Sequence, residues 1–343
     1  MSFFLLALGV SLTIAIIIDI LITTLSPNGS GFITSYVTRY TWELYLRVSN
    51  HKPKKIFLKS SGVFIICLVL TIWVSALWIG NTLIIYTDSY ALLNSDDQPV
   101  TTFNKKLYYI GYVLSTLGNG EYKPSNNFWQ LYTSIISFNG LILITVALSY
   151  VVPILEAVAK KRKLSLEIAS FGMNPMEIIE KNWEKDQFAS FVGQCQELKS
   201  EILLLSQLHL AYPILHYFHS TEIKTSLPIC LSMIDEVINF VNCAIEEKPF
   251  KKELGICNLN FALTTYLQTL NAAHIAPAKS TPPIPDYKHL KLKGLPIIED
   301  DNQVKENYNE IKNRRKLVSG YLLTDGWQWN QMENAQQNLS LKI

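Results

Sequence analysis

The sequence predicts an all-α membrane protein with three transmembrane helices, a re-entrant loop between the second and third, and an α-helical cytosolic domain at its C-terminal end. Three observations lead there. The chain of 343 residues is 49% hydrophobic yet 17% charged, with a mean hydropathy of +0.17, so its apolar residues must be concentrated. Residues 3–25, 62–86 and 130–155 hold almost no charge, and crossing a hydrocarbon core of about 30 Å takes about 20 helical residues. Most Lys, Arg, Asp and Glu residues fall after residue 156.

Residues 1–25 form the first span. The stretch MSFFLLALGVSLTIAIIIDILITTLS has no basic n-region and no A-x-A cleavage site, so it reads as a retained helix and not a removed leader. Asp19 interrupts it near the inner end and is placed at headgroup depth, the alternative being a buried functional carboxylate. Residues 26–61 follow as a cytosolic loop. Within it, residues 33–48 alternate apolar and polar positions, which fits a helix lying on the inner membrane surface or an ordinary loop helix packed beneath the bundle. The sequence leaves both open.

Charge sets the orientation. Residues 26–61 carry Arg39, Arg47, Lys52, Lys54, Lys55 and Lys59 against Glu43, and Lys160, Lys161, Arg162 and Lys163 follow the third span. Residues 87–104 carry Asp88, Asp96 and Asp97 and no base. The positive-inside rule therefore expects a multi-pass protein of the cell membrane, N-terminus outside and C-terminal domain cytoplasmic. A net charge of +2 argues for no nucleic-acid partner. The five scattered cysteines show no CxxC and read as reduced thiols. There is no P-loop, GxGxxG, GxSxG or HExxH, and no enzyme is expected.

Residues 105–124, KKLYYIGYVLSTLGNGEYKP, lie between two spans on the side assigned as external. Their apolar stretch is too short to cross and ends in a glycine-broken turn, the pattern of a re-entrant pore loop. Non-helical backbone survives at that depth only where it lines a watery cavity or is buried in protein. A dehydrating cation needs a ring of oxygens, and glycine allows the backbone to turn successive carbonyls toward one axis. Gly118 and Gly120 bracket Asn119 in that role, Thr116 offers a hydroxyl as well as a carbonyl, and the C-terminal dipole of the preceding half-helix favours a cation. Glu121, repeated around a symmetric pore, would form a carboxylate ring at the outer mouth.

The order of apolar helix, pore helix, T-x-G-x-G with a following acid and proline, then a long inner helix resembles the two-helix pore module of potassium-channel-like proteins. The residues carrying the resemblance are Thr116, Leu117, Gly118, Asn119, Gly120 and Glu121, with Pro124 beyond. It covers about residues 62–158. It implies a homotetramer in membrane lipid, a permeant monovalent cation (potassium or sodium) and no other cofactor or metal. Potassium-selective members carry an aromatic residue between the glycines and Val or Ile before the first. Asn119 and Leu117 depart from that, so a weakly selective cation pore is as much expected as a potassium-selective one. The first span would be an extra, peripheral helix.

The third span scatters Ser134, Ser137, Asn139, Thr145 and Ser149 among apolar residues, as a water-lining helix would. Ser137, Asn139, Gly140, Thr145, Ser149 and Pro153 are the candidates for pore lining and gate. Gly140 reads equally as a hinge or as a small residue for close helix packing, and Pro153 as a kink.

Residues 164–332 show helical apolar spacing broken at Gly172, Pro175 and Pro213, with helices expected at 227–246, 257–274 and 302–323. An extended stretch is expected at 279–300, and 333–343 form a tail. His209, His216 and His219 do not have zinc spacing and read as buried core residues. This half is expected to stabilise the assembly or pull on the gate, and leaves room for a cytosolic ligand of unknown identity. Two rivals stand beside the channel: a non-conducting receptor or scaffold acting through this domain, and a transporter, against which the lack of an internal repeat counts.

Overall fold

The computed structural model describes residues 2–27, 29–118, 120–183, 188–246, 254–272 and 275–335. Asn28, Asn119, Asn338 and most of the 333–343 tail lie outside the described residues. The chain divides into two compact units: Met1–Thr41 with Val63–Leu155, and Trp42–Gly62 with Glu156–Ile343.

The protein is an all-α membrane protein. In the first unit the apolar runs become α1 (Ser2–Leu25), α3 (Ser61–Tyr86) and α5 (Asn127–Phe171). The short helix α2 (Phe32–Val48) follows α1, and α4 (Phe103–Leu114) lies between α3 and α5. α5 is longer than the third span read from the sequence and carries Pro153 within an unbroken helix. It supplies residues to both units, as do α2 and α3.

Asp19 is enclosed within the protein. It is 3% exposed, and its Oδ1 accepts from the amides of Ile33 (2.7 Å) and Thr34 (3.2 Å). Oδ2 accepts from the Thr34 hydroxyl (2.6 Å) and the Trp73 indole (3.1 Å). A carboxylate from α1 thus satisfies orphan amides at the start of α2, the task an N-cap side chain performs, and its remaining lone pairs hold α3. These four bonds explain why a charge is tolerated inside an apolar run.

The second unit is a helical domain: α6 (Pro175–Asn182), α7 (Ala189–Ala211), α8 (Leu227–Ala244), α9 (Leu254–Ala272), α10 (Lys288–Lys291), α11 (Asp301–Glu310), α12 (Lys312–Thr324) and α13 (Trp329–Glu333). The helix expected at 302–323 is split at Ile311, and the stretch expected to be extended at 279–300 contains α10. Among the described residues four helices are long and apolar enough to cross a membrane, but they differ in surroundings. In the most apolar 18-residue stretch of α1, of α3 with its lead-in and of α5, only 22–33% of residues are buried within the protein, whereas in α8 94% are. A helix that is apolar all round is either a span or a core helix. α8 is the core, with Cys230, Ile234, Ile238 and Phe240 fully enclosed.

α8 also buries charge. Arg315 of α12 donates through Nε and Nη2 to both oxygens of Glu236 (3.1 and 2.9 Å) and to the carbonyls of Pro282 and Pro283 (2.9 and 2.7 Å). Its guanidinium stacks over Tyr308 and Trp329. Arg314 donates through Nε (2.9 Å) and Nη2 to a single oxygen, Oδ1, of Asp235 and through Nη1 to the Thr264 hydroxyl (2.7 Å). The extended segment before α10 is therefore held by its carbonyls, as a stretch without helical bonding requires.

Candidate pore site

The geometry at the end of α4 follows from its capping. The Thr116 amide bonds to the Val113 carbonyl (3.1 Å) and the Leu117 amide to the Tyr112 carbonyl (2.9 Å). Thr116 has φ +58°. This is a Schellman C-cap, whose left-handed residue is ordinarily glycine. A β-branched residue there is strained by about 1–2 kcal/mol, and such strain concentrates at functional sites. Gly118 (φ +63°) and Gly120 (φ +72°) repeat the left-handed conformation, while Leu117 does not. Positive φ thus recurs at every second residue from Thr116 to Gly120. Thr116, Leu117, Gly118, Gly120 and Glu121 are all exposed in the single chain, and a side-chain carbon added at either glycine would meet nothing within 4 Å.

Both ends of this segment are anchored. At its far end β2 (Tyr122–Pro124) pairs antiparallel with β1 (Leu92–Asn94), in the register Leu92 opposite Pro124 and Asn94 opposite Tyr122. The Tyr112 hydroxyl donates to the Tyr122 carbonyl (2.9 Å), tying α4 to the returning strand. At the head of α4, the fully buried Lys106 donates to the carbonyl of Ile85 (3.0 Å) in the last turn of α3 and to that of Asp88 (2.6 Å) just beyond it. The Trp78 indole donates to the Leu107 carbonyl (2.7 Å), and the Tyr109 hydroxyl is 2.7 Å from that of Thr133. The ribbon and the Lys106 anchor are not evident in the sequence. Three-residue strands fall below any periodicity window, and a lysine at a helix start reads as solvated.

Along α5 the candidates divide. Gly140 is buried, and a methyl group on it would lie 2.0 Å from the Leu114 carbonyl oxygen. α5 therefore passes close to the end of α4 at this position. Thr145 and Ser149 are exposed, with their hydroxyls returned to the Leu141 and Val146 carbonyls. By helical periodicity they share a face with Ser134 and Ser137, opposite the stripe of Ile136, Leu143, Tyr150 and Ile154 that is buried. Asn139 lies toward the buried side and is half-buried, as is Pro153. A cleft of about 510 Å³ opens between α4 and α5, lined by Tyr112, Thr116, Gly118, Ser134, Ser137 and Phe138 among others.

The second unit contains a further set of anchors that spacing does not reveal. Lys161, on α5, donates to the carbonyls of Leu215 (3.0 Å) and Phe218 (2.9 Å), and Ser61, which opens α3, to that of Tyr217 (2.7 Å). His219 bonds through Nδ1 to Asp325 (3.1 Å) and through Nε2 to the Pro53 carbonyl (2.8 Å). His209, His216 and His219 are all buried. Burial pulls His216 down to about 4 and His209 well below its ordinary value. For His219 burial pulls the same way, but the charge and hydrogen bond of Asp325 and the Pro53 carbonyl outweigh it, so it rises. Among the described residues no His, Cys, Asp or Glu group of three or more is placed to hold a metal.

A short helix between two long apolar helices, followed by a glycine-turned segment, is the arrangement found here in an all-α membrane protein. Residues 66–157 match the family model described as "Ion channel". The chain is also 32% identical over 331 residues to the uncharacterized membrane protein YdjJ of Bacillus subtilis (strain 168), an alignment covering 96% of each chain. The chain belongs to the same family of membrane proteins as this relative, and its residues 66–157 carry an ion-channel domain, which points to transport. No solved structure matches it.

Proposed function

We propose that this chain is one subunit of a homotetrameric channel passing monovalent cations, potassium or sodium, down their gradient. The filter is Thr116–Gly120 and Glu121 forms the outer ring. Ser137, Thr145 and Ser149 line the path below it, with Asn139, Gly140 and Pro153 shaping the inner helix. No cofactor beyond the permeant ion is needed. The reading rests on one observation above the others: left-handed backbone at Thr116, Gly118 and Gly120, directly after a helix C-terminus. Left-handed backbone at these three positions lets their carbonyls turn toward a common axis. The exposure of this segment and the open cleft beside it support a site completed by further copies of the chain.

The basic flanks of the spans support an N-terminus outside and a cytosolic second unit. Lys161 and Ser61 support control of the pore by that unit, because residues on α5 and at the start of α3 hold the carbonyls of one short segment, 215–218. Bilayer recording with potassium on one side and sodium on the other tests the reading. A reversal potential set by the cations is expected, with a weak potassium preference that Asn119→Tyr strengthens. A reversal potential that follows chloride would refute a cation filter. Silence from a folded tetramer, also with Lys161→Met to loosen the second unit, would favour the scaffold.

A further inference from the structure

We infer that the outward face of α2 lies in the headgroup region of the leaflet where α1 ends and takes anionic lipid there. The inference rests on α1 spanning the bilayer, and not on conduction. The two faces of α2 carry the argument. Thr34, Thr38, Trp42 and Leu46, four residues apart, are 2–7% exposed. Thr34 bonds to Asp19, and Trp42 donates its indole N–H to the Thr324 carbonyl (2.9 Å). These bonds fix the rotation of the helix. On the opposite face Phe32, Tyr36, Tyr40, Leu44 and Val48, again four apart, are 52–81% exposed. Such a continuous apolar stripe marks an interaction surface.

Depth identifies the partner. Asp19 lies within α1, a short way before its end at Leu25, and it bonds directly to the Ile33 and Thr34 amides. The first turn of α2 therefore sits level with the last turns of a span, where water gives way to lipid. Aromatic rings with a polar tip favour that layer, and the Tyr36 and Tyr40 hydroxyls lie together at 2.9 Å. Arg39 and Arg47 fall on an adjacent helical row, and Lys52, Lys54, Lys55 and Lys59 follow, with Glu43 the one acid of residues 26–61. A basic, apolar-striped helix beside a span matches an anionic leaflet surface, and the amphipathic reading of residues 33–48 gains a definite face.

The test uses the full chain in lipid nanodiscs, with Cys67 and Cys257 replaced by serine and single spin labels placed through Tyr36→Cys, Tyr40→Cys, Leu44→Cys and Arg39→Cys. Labels at 36, 40 and 44 should relax more with oxygen than with a water-borne nickel chelate, and the label at 39 the reverse. Adding one-third anionic lipid to neutral discs should deepen the first three, and Arg39→Gln with Arg47→Gln should abolish that deepening. Nickel access at 36, 40 and 44 equal to that at 39 would place the stripe in water and overturn the proposal. Shielding from both reagents would mean a covering protein, another copy or a different one, and would overturn it equally. A depth indifferent to lipid charge would overturn the anionic assignment. None of these readouts depends on current, so a silent pore leaves the test intact.

Discussion

Replacing Gly140 by alanine would set a methyl carbon 2.0 Å from the Leu114 carbonyl oxygen, 2.8 Å from its carbonyl carbon and 3.0 Å from its Cα. All three are backbone atoms, so no side chain can rotate aside. Reaching ordinary contact at 3.4 Å requires α5 and the end of α4 to part by about 1.4 Å. Overpacking of a close-packed site costs about 1–3 kcal/mol, and a backbone clash belongs at the upper end. The shift also travels. Leu114 ends α4, and the amides of Thr116 and Leu117 close the cap on the carbonyls just before it, so displacing Leu114 re-aims the turn that starts the filter. Gly140→Ala should therefore lower unfolding stability in detergent by about 3 kcal/mol and reduce cation flux in proportion to the folded protein and beyond it. Gly118→Ala is the control. It has open space but φ +63°, so it should cost about 1 kcal/mol while altering conduction more than stability. A Gly140→Ala protein with wild-type stability and current would refute the close approach and return Gly140 to the hinge reading.

Asp19→Asn keeps the size but puts amide hydrogens toward the Thr34 hydroxyl and the Trp73 indole. The loss of charged acceptance should cost about 1.5–3 kcal/mol, read by equilibrium unfolding in detergent; an unchanged midpoint would contradict the cap. Arg315→Met leaves Glu236 buried without its partner and should cost about 3–5 kcal/mol, much of which the double variant Arg315→Met, Glu236→Leu recovers. A double variant no better than the single one would mean that the proline carbonyls, and not the ion pair, govern this site. His219 is raised in the folded state, so its pairing with Asp325 is fully present below the unfolded histidine value of about 6.5 and is lost as pH rises through the folded value. Thermal stability should fall as pH increases above about 6.5, and His219→Gln should flatten that slope; a stability rising over the same range would reverse the assignment.

The spanning segments could be read because a bilayer demands long uncharged runs, and α1, α3 and α5 answer that demand directly. Helix ends in the second unit were legible at Gly172, Pro175 and Pro213, where backbone chemistry is local. What the sequence hid was partnership across distance. Asp19 looks solvated until Thr34 and Trp73, far along the chain, arrive around it. α8 is apolar enough to span, and its two carboxylates, Asp235 and Glu236, are buried where Arg314 and Arg315 meet them. Gly140 offers the same signal to a hinge and to a contact, because the deciding atom belongs to Leu114 on another helix. At the candidate filter the glycines pointed to the turn, but the left-handed Thr116 did not show: threonine at positive φ contradicts local preference, and only the Schellman cap explains it.

The most direct measurement is cation flux from liposomes holding the purified full-length protein, with potassium, sodium and chloride gradients imposed in turn and Gly118→Ala run beside the wild-type chain. Potassium and sodium flux without chloride flux is expected, lost in the variant while its oligomer and unfolding midpoint stay close to wild type. Equal cation flux through the wild type and Gly118→Ala would contradict it, because ions would then cross by a route that the Thr116–Gly120 backbone does not form.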